Sequence, residues 1–303
     1  MAIISTGNHP KALWPGVAAW WGLSYKKHPM EWSQIFDEKT SDKAYEEDVE
    51  ATGFGLAPVK AEGSAVSYTS HTQGATTRYT NVAYALGFIV TKEEMDDNQY
   101  EKLAKSRTES LAFSMRTTKE IVHANIFNRA FTAAYAGGDG QEMVSAAHPV
   151  IGGTQSNYLA TPADLSEASL EDLLIMINTA KNSTGLQIAL TGQKLIVPPQ
   201  LAFEAERIVA STLRPATADN DVNALKSMGM LPGGVVVNHY LTDPDAWFVK
   251  TDAPNGLTHY KRKAIEFTKD NDFDTENAKA KAYERYSAGW TDWRSVYGSE
   301  GAA

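Results

Sequence analysis

The sequence predicts an α+β protein, on three observations. From Phe88 to Ala136 there is neither glycine nor proline, and apolar residues recur there at three- and four-residue steps, which is typical of a helix. Residues 52–90 alternate in the manner of β-strands. Short strand candidates separated by turns follow between Val235 and Tyr297. Because helix and strands occupy separate stretches of the chain, we expect an α+β fold.

The breaker-free run predicts a helix over residues 93–135, with Thr91 as its N-cap. Such a helix would be about 65 Å long, whereas a compact globule of this chain length has a diameter of roughly 50 Å. The helix therefore either breaks or belongs to an elongated subunit, and an elongated subunit favours assembly over a solitary enzyme. Thr117 and Thr118 lie in mid-helix, where β-branched residues weaken a helix, so we expect a bend there.

Composition bounds the class of protein. Hydrophobic residues make up 43% of the chain and charged residues 21%, as in an ordinary globular protein. With 28 basic and 37 acidic residues the net charge is −9, which argues against general coating of nucleic acid but leaves a local basic patch open. The absence of cysteine excludes disulfides, thiol catalysis and cysteine-bound zinc. The chain has no bilayer-spanning apolar run and no signal-peptide pattern, so we expect a cytosolic protein.

Aromatic residues crowd the first 50 positions, and four of the seven tryptophans lie within the first 32. Two interpretations stay open. The segment packs on the core of its own subunit, or it is an extended arm that docks its aromatic side chains onto a neighbour, since Trp and Tyr are favoured interface anchors. The interface hypothesis takes in Trp14, Trp20, Trp21 and Trp32.

Residues 52–90 predict a long β-hairpin or β-loop, with one strand near residues 66–69, a turn at residues 71–74 and a second strand over residues 77–90. The middle is rich in Thr, Ser and Gly and has little apolar surface to bury, and an isolated hairpin is marginal in water. It is either an edge hairpin of the subunit's own sheet or a loop that lies on a second surface. The candidate contacts on that second surface are Lys60, Tyr68, Arg78 and Tyr79.

Further along the chain, helices are predicted over residues 169–181 and from Pro199 to about Thr212, on either side of a buried strand at residues 194–197. Residues 214–234 are loop-like. The remaining strand candidates are residues 235–239, 247–250, 257–261, 264–268, 278–286 and 294–297.

The chain lacks the common catalytic motifs: a phosphate-binding glycine loop, a Gly-x-Ser-x-Gly elbow and a His-Glu-x-x-His zinc motif. Its seven histidines are scattered. The alternating Asp270, Asp272 and Asp274 resemble a calcium loop, but Thr275 stands where glycine is required, which favours a solvated turn. The basic cluster Lys261-Arg262-Lys263 favours an interface or a solvent edge, because neighbours on a strand point to opposite faces. No catalytic, cofactor-binding or metal-binding residue is predicted.

Several short sequence motifs follow one another along the chain in a specific order. They are Leu13-Trp14-Pro15-Gly16, Trp20-Trp21-Gly22, Trp32-Ser33-Gln34-Ile35-Phe36, Lys43-Ala44-Tyr45-Glu46-Glu47-Asp48, Gly53-Phe54-Gly55, Lys60-Ala61-Glu62-Gly63, Leu86-Gly87-Phe88-Ile89-Val90-Thr91, Ala147-His148-Pro149, Leu241-Thr242-Asp243-Pro244-Asp245-Ala246-Trp247 and Asp292-Trp293-Arg294. Together with the order of elements, these motifs resemble the major capsid protein of tailed bacteriophages, in particular the major head subunit of Mu-like phages and prophages. The resemblance covers essentially the whole chain.

The resemblance implies a capsid fold of five parts, with residues 214–234 in the loop nearest the five-fold and six-fold centres. The parts would be an N-terminal arm (1–50), an extended β-loop lying across a neighbour (51–90), a peripheral domain with a spine helix (91–164), an axial domain (165–260) and C-terminal strands returning to the peripheral domain (261–303).

It also implies a structural protein rather than an enzyme, without cofactor or metal. Hexamers and pentamers of the chain would form an icosahedral shell around double-stranded DNA, which is enclosed without sequence-specific binding. The protein would be assembled in the bacterial cytoplasm and found in the virion. Further expected partners are a portal, a decoration protein and a separate scaffolding protein, since the arm begins almost at Met1.

Two alternatives stay open. One is an encapsulin-like shell of a protein nanocompartment. The other, from a different class, is a cytosolic enzyme or ligand-binding protein with a long helical spine. Family members that cross-link covalently join a loop lysine to an asparagine of another subunit. Lys60 is the lysine of this loop, but no partner asparagine can be named, so we do not expect that chemistry.

Overall fold

The structure is a computed structural model that describes residues 20–27, 30–68, 70, 73–96, 100–213, 222–272 and 276–302. Trp14, residues 214–221 of the predicted loop and residues 273–275 of the acidic turn lie outside the described residues. Residues 20–26 are helical and are called α1. The other α-helices are α2 (Lys92–Asp96), α3 (Tyr100–Asn128), α4 (Glu167–Asn178), α5 (Ala202–Ala210) and α6 (Ala224–Ser227).

The strands form two four-stranded sheets and two two-stranded pairs. They are β1 (Asp37–Thr40), β2 (Tyr45–Ala51), β3 (Gln73–Thr80), β4 (Val82–Val90), β5 (His148–Val150), β6 (Gly153–Gln155), β7 (Gly192–Val197), β8 (Val235–Val237), β9 (Trp247–Thr251), β10 (Leu257–Asn271), β11 (Ala278–Trp290) and β12 (Val296–Ser299).

One four-stranded sheet has the strand order β1-β10-β11-β4 and carries α3 on one face. It is called the peripheral sheet here after the domain in which the sequence analysis expected most of its strands. Its long central strands, β10 and β11, pair antiparallel, and β1 joins the edge in parallel. Every second residue at the start of β11 is a buried alanine: Ala278, Ala280 and Ala282. Because these side chains are small, α3 can lie close to the sheet, and Ala282 packs against Leu111 and Met115 of the helix.

The spine helix α3 has 29 residues and is therefore about 44 Å long. It continues without interruption through Thr117 and Thr118, and the Thr118 hydroxyl donates to the Ser114 carbonyl oxygen at 2.9 Å. The predicted end at residue 135 is wrong, because the helix ends at Asn128 and the chain then turns. Thr91 caps the shorter helix α2, since its hydroxyl accepts from the Glu94 backbone N–H at 3.3 Å, which confirms the predicted N-cap.

The other four-stranded sheet has the strand order β12-β9-β7-β8 and is called the axial sheet, again after the domain in which most of its strands were expected. Its core strands are apolar on both faces, as expected for a sheet that is covered on both sides. The predicted division placed residues 261–303 with the peripheral domain. Instead β12 pairs with β9 in the axial sheet, while β10, from Leu257 onward, belongs to the peripheral sheet. A buried bond fixes this return of the chain: the Thr251 hydroxyl donates to the Arg294 carbonyl oxygen at 2.6 Å.

A two-stranded ribbon is formed by β2 and β3, which pair antiparallel from Tyr45↔Thr80 to Ala51↔Gln73. The predicted strand near residues 66–69 is therefore wrong, since residues 52–68 contain no strand. The predicted strand over residues 77–90 divides at Asn81 into β3 of the ribbon and β4 of the peripheral sheet. The two candidates at residues 257–261 and 264–268 are one strand, β10, with register shifts near Lys263.

Candidate functional site

The ribbon is attached to the body where the chain changes sheets, at the buried Asn81. The Asn81 side-chain amide donates to the Ser41 hydroxyl at 2.8 Å and to the Lys43 carbonyl oxygen at 3.0 Å. Its carbonyl oxygen accepts from the Ser287 hydroxyl of β11 at 3.2 Å. One amide side chain therefore joins the start of β2 and the end of β3 to the peripheral sheet. These bonds fix the direction of the ribbon at its base.

A second attachment lies at the middle of the ribbon, around the Asp48 carboxylate. The Tyr260 hydroxyl of β10 donates to both oxygens of Asp48 at 2.8 Å. The Thr291 hydroxyl also donates to Asp48, at 3.3 Å, and lies 2.6 Å from the Tyr79 hydroxyl. Burial and the neighbouring carboxylate raise the pKa of Tyr260 far above its usual value, so the phenol stays a hydrogen-bond donor.

A third attachment lies at the far end of the ribbon and reaches the axial region. Glu50 Oε1 accepts from Arg294 Nη1 at 3.2 Å and from the Ser183 hydroxyl at 2.8 Å. Arg294 is almost fully buried and also contacts Asp292 at 3.2 Å. Burial raises the pKa of Asp292, and the Arg294 charge opposes that rise. The ribbon is thus held along its length by both lobes of the subunit.

Beyond this rigid ribbon, residues 52–68 form a loop with apolar side chains turned to solvent. The exposed large apolar residues of the loop are Phe54, Leu56, Val59, Val66 and Tyr68. Val59 is 100% exposed and Tyr68 is 93% exposed. One contact between loop and body is a 3.3 Å bond from the Thr184 hydroxyl to the Phe54 carbonyl oxygen. Clustered exposed apolar side chains are typical of interaction surfaces.

The structure separates the four contact candidates of this region into two groups. Lys60 and Tyr68 lie on the exposed loop. Arg78 lies on the outer side of the ribbon, where it pairs with Glu47 at 2.8 Å and stacks over Tyr45. Tyr79 points the other way and is only 3% exposed, with its ring against Gly289, where an added Cβ would lie 2.9 Å from the Tyr79 ring. Tyr79 therefore packs inside its own subunit and has little surface for a neighbour.

The N-terminal aromatic residues that the structure describes also pack on their own subunit. Trp21 is 7% exposed and stacks on Phe267 of β10, with 5.1 Å between ring centroids. Trp32 is 4% exposed and stacks on His123 of α3 at 4.7 Å. Trp20 is partly buried against the cluster around Val90. Trp21 and Trp32 therefore pack on the core of their own subunit and leave little surface for a neighbour.

Beneath Trp32 lies a layer of buried polar groups between α3 and the peripheral sheet. His123 Nε2 lies 3.0 Å from His259 Nδ1, and His123 Nδ1 lies 2.7 Å from the Lys119 carbonyl oxygen. Burial lowers the pKa of His123 to about 4 and that of His259 to about 2, so both rings are neutral. Lys119 forms a 2.8 Å ion pair with the buried Glu284. Sequence reasoning missed this layer, because its members lie far apart in the chain.

The polar layer does not have the arrangement of a metal centre. Among the residues that the structure describes, no group of three or more His, Asp or Glu side chains is placed to hold a metal ion.

Glu120 accepts from the backbone N–H groups of Glu31 and Trp32 at 3.0 and 3.1 Å, so it anchors the segment before β1. None of the described helices is long and apolar enough to cross a membrane.

The described residues form two sheets and a long helix, and an anchored ribbon presents a loop with exposed apolar side chains. Comparison with known families identifies the class of protein. The chain belongs to the phage capsid protein family, whose model matches residues 74–299. The protein is therefore a capsid shell subunit of phage type, as the sequence predicted. Among curated proteins, no match was found by sequence.

Solved structures share the fold at low sequence identity. The capsid of a native GTA particle has a TM-score of 0.58 and 14% identity, covering 91% of this chain and 91% of that chain. The capsid of cyanophage P-SCSP1u has a TM-score of 0.53 and 9% identity, covering 88% and 86%. The virus-like particle from Pyrococcus furiosus has a TM-score of 0.51 and 10% identity, covering 94% and 98%. Identities this low show the fold alone, and they confirm the predicted capsid fold.

Proposed function

We propose that this protein is the major head subunit of a tailed phage or prophage of the Mu-like type. Its hexamers and pentamers would close into an icosahedral shell around double-stranded DNA, assembled in the bacterial cytoplasm with a scaffolding protein and a portal. The family match and the sequence motifs that resemble Mu-like head subunits support this proposal. The net charge of −9 also supports it, because a container has to let its genome enter and leave.

The observation that carries the proposal is the exposed loop at residues 52–68. A ribbon fixed at Asn81, Asp48 and Glu50 presents this loop, and the large apolar side chains of the loop are exposed. Leu56 is 83% exposed and Val59 fully exposed. Burying two such side chains contributes roughly 3–6 kcal/mol at each contact. In a closed shell the loop would lie on a neighbouring subunit of the same capsomer.

The experiment is negative-stain electron microscopy and size-exclusion chromatography of the purified chain. Shells or capsomers are expected, alone or with a scaffolding protein supplied. A stable monomer under all salt conditions, also with scaffold present, would overturn the proposal. The shell contents then separate a phage head from a nanocompartment: DNA protected from nuclease inside shells made during infection supports the head, and packaged protein cargo supports the encapsulin alternative.

The role of the loop is tested separately with two matched variants. Leu56→Ser combined with Val59→Ser removes the apolar surface, whereas Leu56→Met combined with Val59→Ile keeps it. We expect the serine variant to stay folded but to lose shells, and the apolar variant to assemble. Equal shell yields for both variants would remove the loop from the interface while leaving the capsid function itself intact.

A further inference from the structure

The peripheral sheet has two edges of opposite character. One edge is β1, which has four residues, three of them charged: Asp37, Glu38 and Lys39. The other edge is β4, which has nine residues and contains neither a charge nor a proline. It pairs with β11 over its whole length without a register shift. Proteins keep edge strands from pairing with other chains by short length, charge, proline or a bulge. Strand β1 uses two of these devices and β4 uses none.

The backbone of β4 turns hydrogen-bonding groups to its open side. The Ile89 carbonyl oxygen accepts from Arg107 Nη1 of α3 at 2.9 Å. A Cβ added to Gly87 would lie 2.7 Å from the Ala280 carbonyl oxygen, so that carbonyl is directed at β4 and bonds at the Phe88↔Ala280 pair. Since alternate residues of a strand bond to opposite sides, the residues that face the open edge are Ala83, Ala85, Gly87 and Ile89. Within the described part of the chain, no strand pairs with them there.

The side chains of β4 decide which strand fits this edge. Charged residues make up 21% of the chain, yet β4 has none, and its side chains at Val82, Leu86 and Ile89 are about half-exposed. A second β4 laid antiparallel about Leu86 places apolar side chains opposite apolar ones, which stabilises a strand pair. The facing pairs would be Val82 with Val90, Tyr84 with Phe88, and Leu86 with Leu86. Two copies therefore match in length and polarity, and no like charges meet.

We propose that β4 pairs antiparallel with β4 of a second copy of this chain, across a two-fold axis at Leu86. Two peripheral sheets then join into one sheet of eight strands. The inference rests on the capsid function, because a shell subunit is surrounded by copies of itself. It concerns a different surface from the loop at residues 52–68, so the two contacts can be tested independently.

The test exploits the absence of cysteine from the chain. In Leu86→Cys, the two new thiols face each other in a non-hydrogen-bonded pair with Cα atoms about 4.5 Å apart, a separation that a disulfide spans. Ile89→Cys is the matched control, because its two copies would lie roughly 20 Å apart along the antiparallel pair. Shells are assembled with reductant and then oxidised by dissolved oxygen. A non-reducing gel should show a covalent dimer for Leu86→Cys and only monomer for Ile89→Cys.

Dimers from both variants would indicate parallel or unspecific contact, and dimers from neither would show that another segment, such as residues 1–19, covers the edge. Each of these results would overturn the proposal, whereas shells that still form would leave the capsid function intact.

A second arm does not depend on cross-linking. Ala85→Lys places a charge on the open edge, which opposes strand pairing, and should lower the yield of shells while the subunit stays folded by circular dichroism. Thr40→Lys is its control on the already charged β1 edge, and it should assemble as the wild type does. Equal shell yields for the two lysine variants would likewise overturn the proposal.

Discussion

The Glu50 carboxylate lies 3.2 Å from Arg294 Nη1, so the end of the ribbon is bonded to the segment that carries the chain from the peripheral to the axial sheet. Glu50 stands on β2 and Arg294 lies between β11 and β12. The orientation of the loop at residues 52–68 is therefore coupled to the packing of both lobes. Removing either partner should loosen the loop and not only weaken one contact.

The Glu50→Ala variant should lower the free energy of unfolding by about 1–3 kcal/mol, because the buried Arg294 loses one of its acceptors and Ser183 loses its partner. The matched control is Glu47→Ala, which removes the more exposed pair with Arg78 and should cost less than about 1 kcal/mol. Urea unfolding of both variants measures the difference. Equal costs would show that Glu50 does not anchor the ribbon.

The His123–His259 pair should make the subunit sensitive to acid. The unfolded chain takes up protons on both rings below about pH 6.5. The folded chain keeps them neutral, since burial lowers the pKa of His123 to about 4 and that of His259 to about 2. The stability that the neutral rings contribute is thus complete above pH 6.5 and falls below it by about 1.4 kcal/mol per pH unit for each ring, down to about pH 4 for His123 and about pH 2 for His259.

The measurement is urea unfolding at several pH values between 7.5 and 4.5, for the wild type and for His259→Gln. The variant should lose stability less steeply, because one proton-binding site of the unfolded chain is gone. The raised pKa values of Glu120 and Glu284 act in the opposite direction in both proteins, so the difference between the two slopes is the quantity to compare. Identical slopes would contradict the assignment.

Substitutions of Trp21 and Tyr68 should differ in their effect on the stability of the unassembled subunit. Trp21→Ala removes a ring that stacks on Phe267 and Tyr25, and should destabilise the unassembled subunit by about 3–5 kcal/mol. Tyr68→Ser should leave stability within about 0.5 kcal/mol, since the side chain is 93% exposed. Thermal unfolding and shell yield should be measured together. A Trp21→Ala subunit of normal stability that fails to assemble would restore the interface role of this tryptophan.

Asn157, which is buried, and Asn182, which is partly buried, offer a pair of isosteric substitutions. The Asn157 amide donates to the carbonyl oxygens of Met143, Trp293 and Val296. Asn157→Asp places a carboxylate oxygen against these three acceptors and should cost several kcal/mol, on the order of 3 or more.

The Asn182 side chain instead accepts through its oxygen from Thr184 and Leu186, which a carboxylate can also do. Asn182→Asp should therefore change stability by less than about 1 kcal/mol. Chemical denaturation of both variants measures the two changes in the free energy of unfolding. Comparable losses at the two sites would show that the direction of these hydrogen bonds is not what stabilises the turns.

The sequence predicted those elements whose signal is local. The spine helix, the N-cap at Thr91 and the buried strand predicted at residues 194–197 follow from periodicity and from the positions of glycine and proline. The structure has that strand at Gly192–Val197. The alternation near Val66 led to the wrong prediction of a strand there, because a strand also requires a partner strand. The partner of β3 is β2, which lies before the loop, and residues 66–68 have none.

The site was predictable in part. Exposed apolar side chains in the loop fit the expectation of a second surface, which stays a proposal. Crowded tryptophans, in contrast, cannot tell a core from an interface, because both bury aromatic rings. The histidine pair could not be found from the sequence, since it joins α3 and β10, which lie far apart in the chain.

The place of β12 in the axial sheet affects synthesis. That sheet consists of residues 192–197, 235–237, 247–251 and 296–299, so its edge stays open until almost the whole chain has been translated. The peripheral sheet is also completed late in translation, since β11 ends at Trp290 and pairs with β4 from the first third of the chain. Neither lobe can finish folding on the ribosome before the other, so a nascent chain cannot present a complete subunit surface to a growing shell.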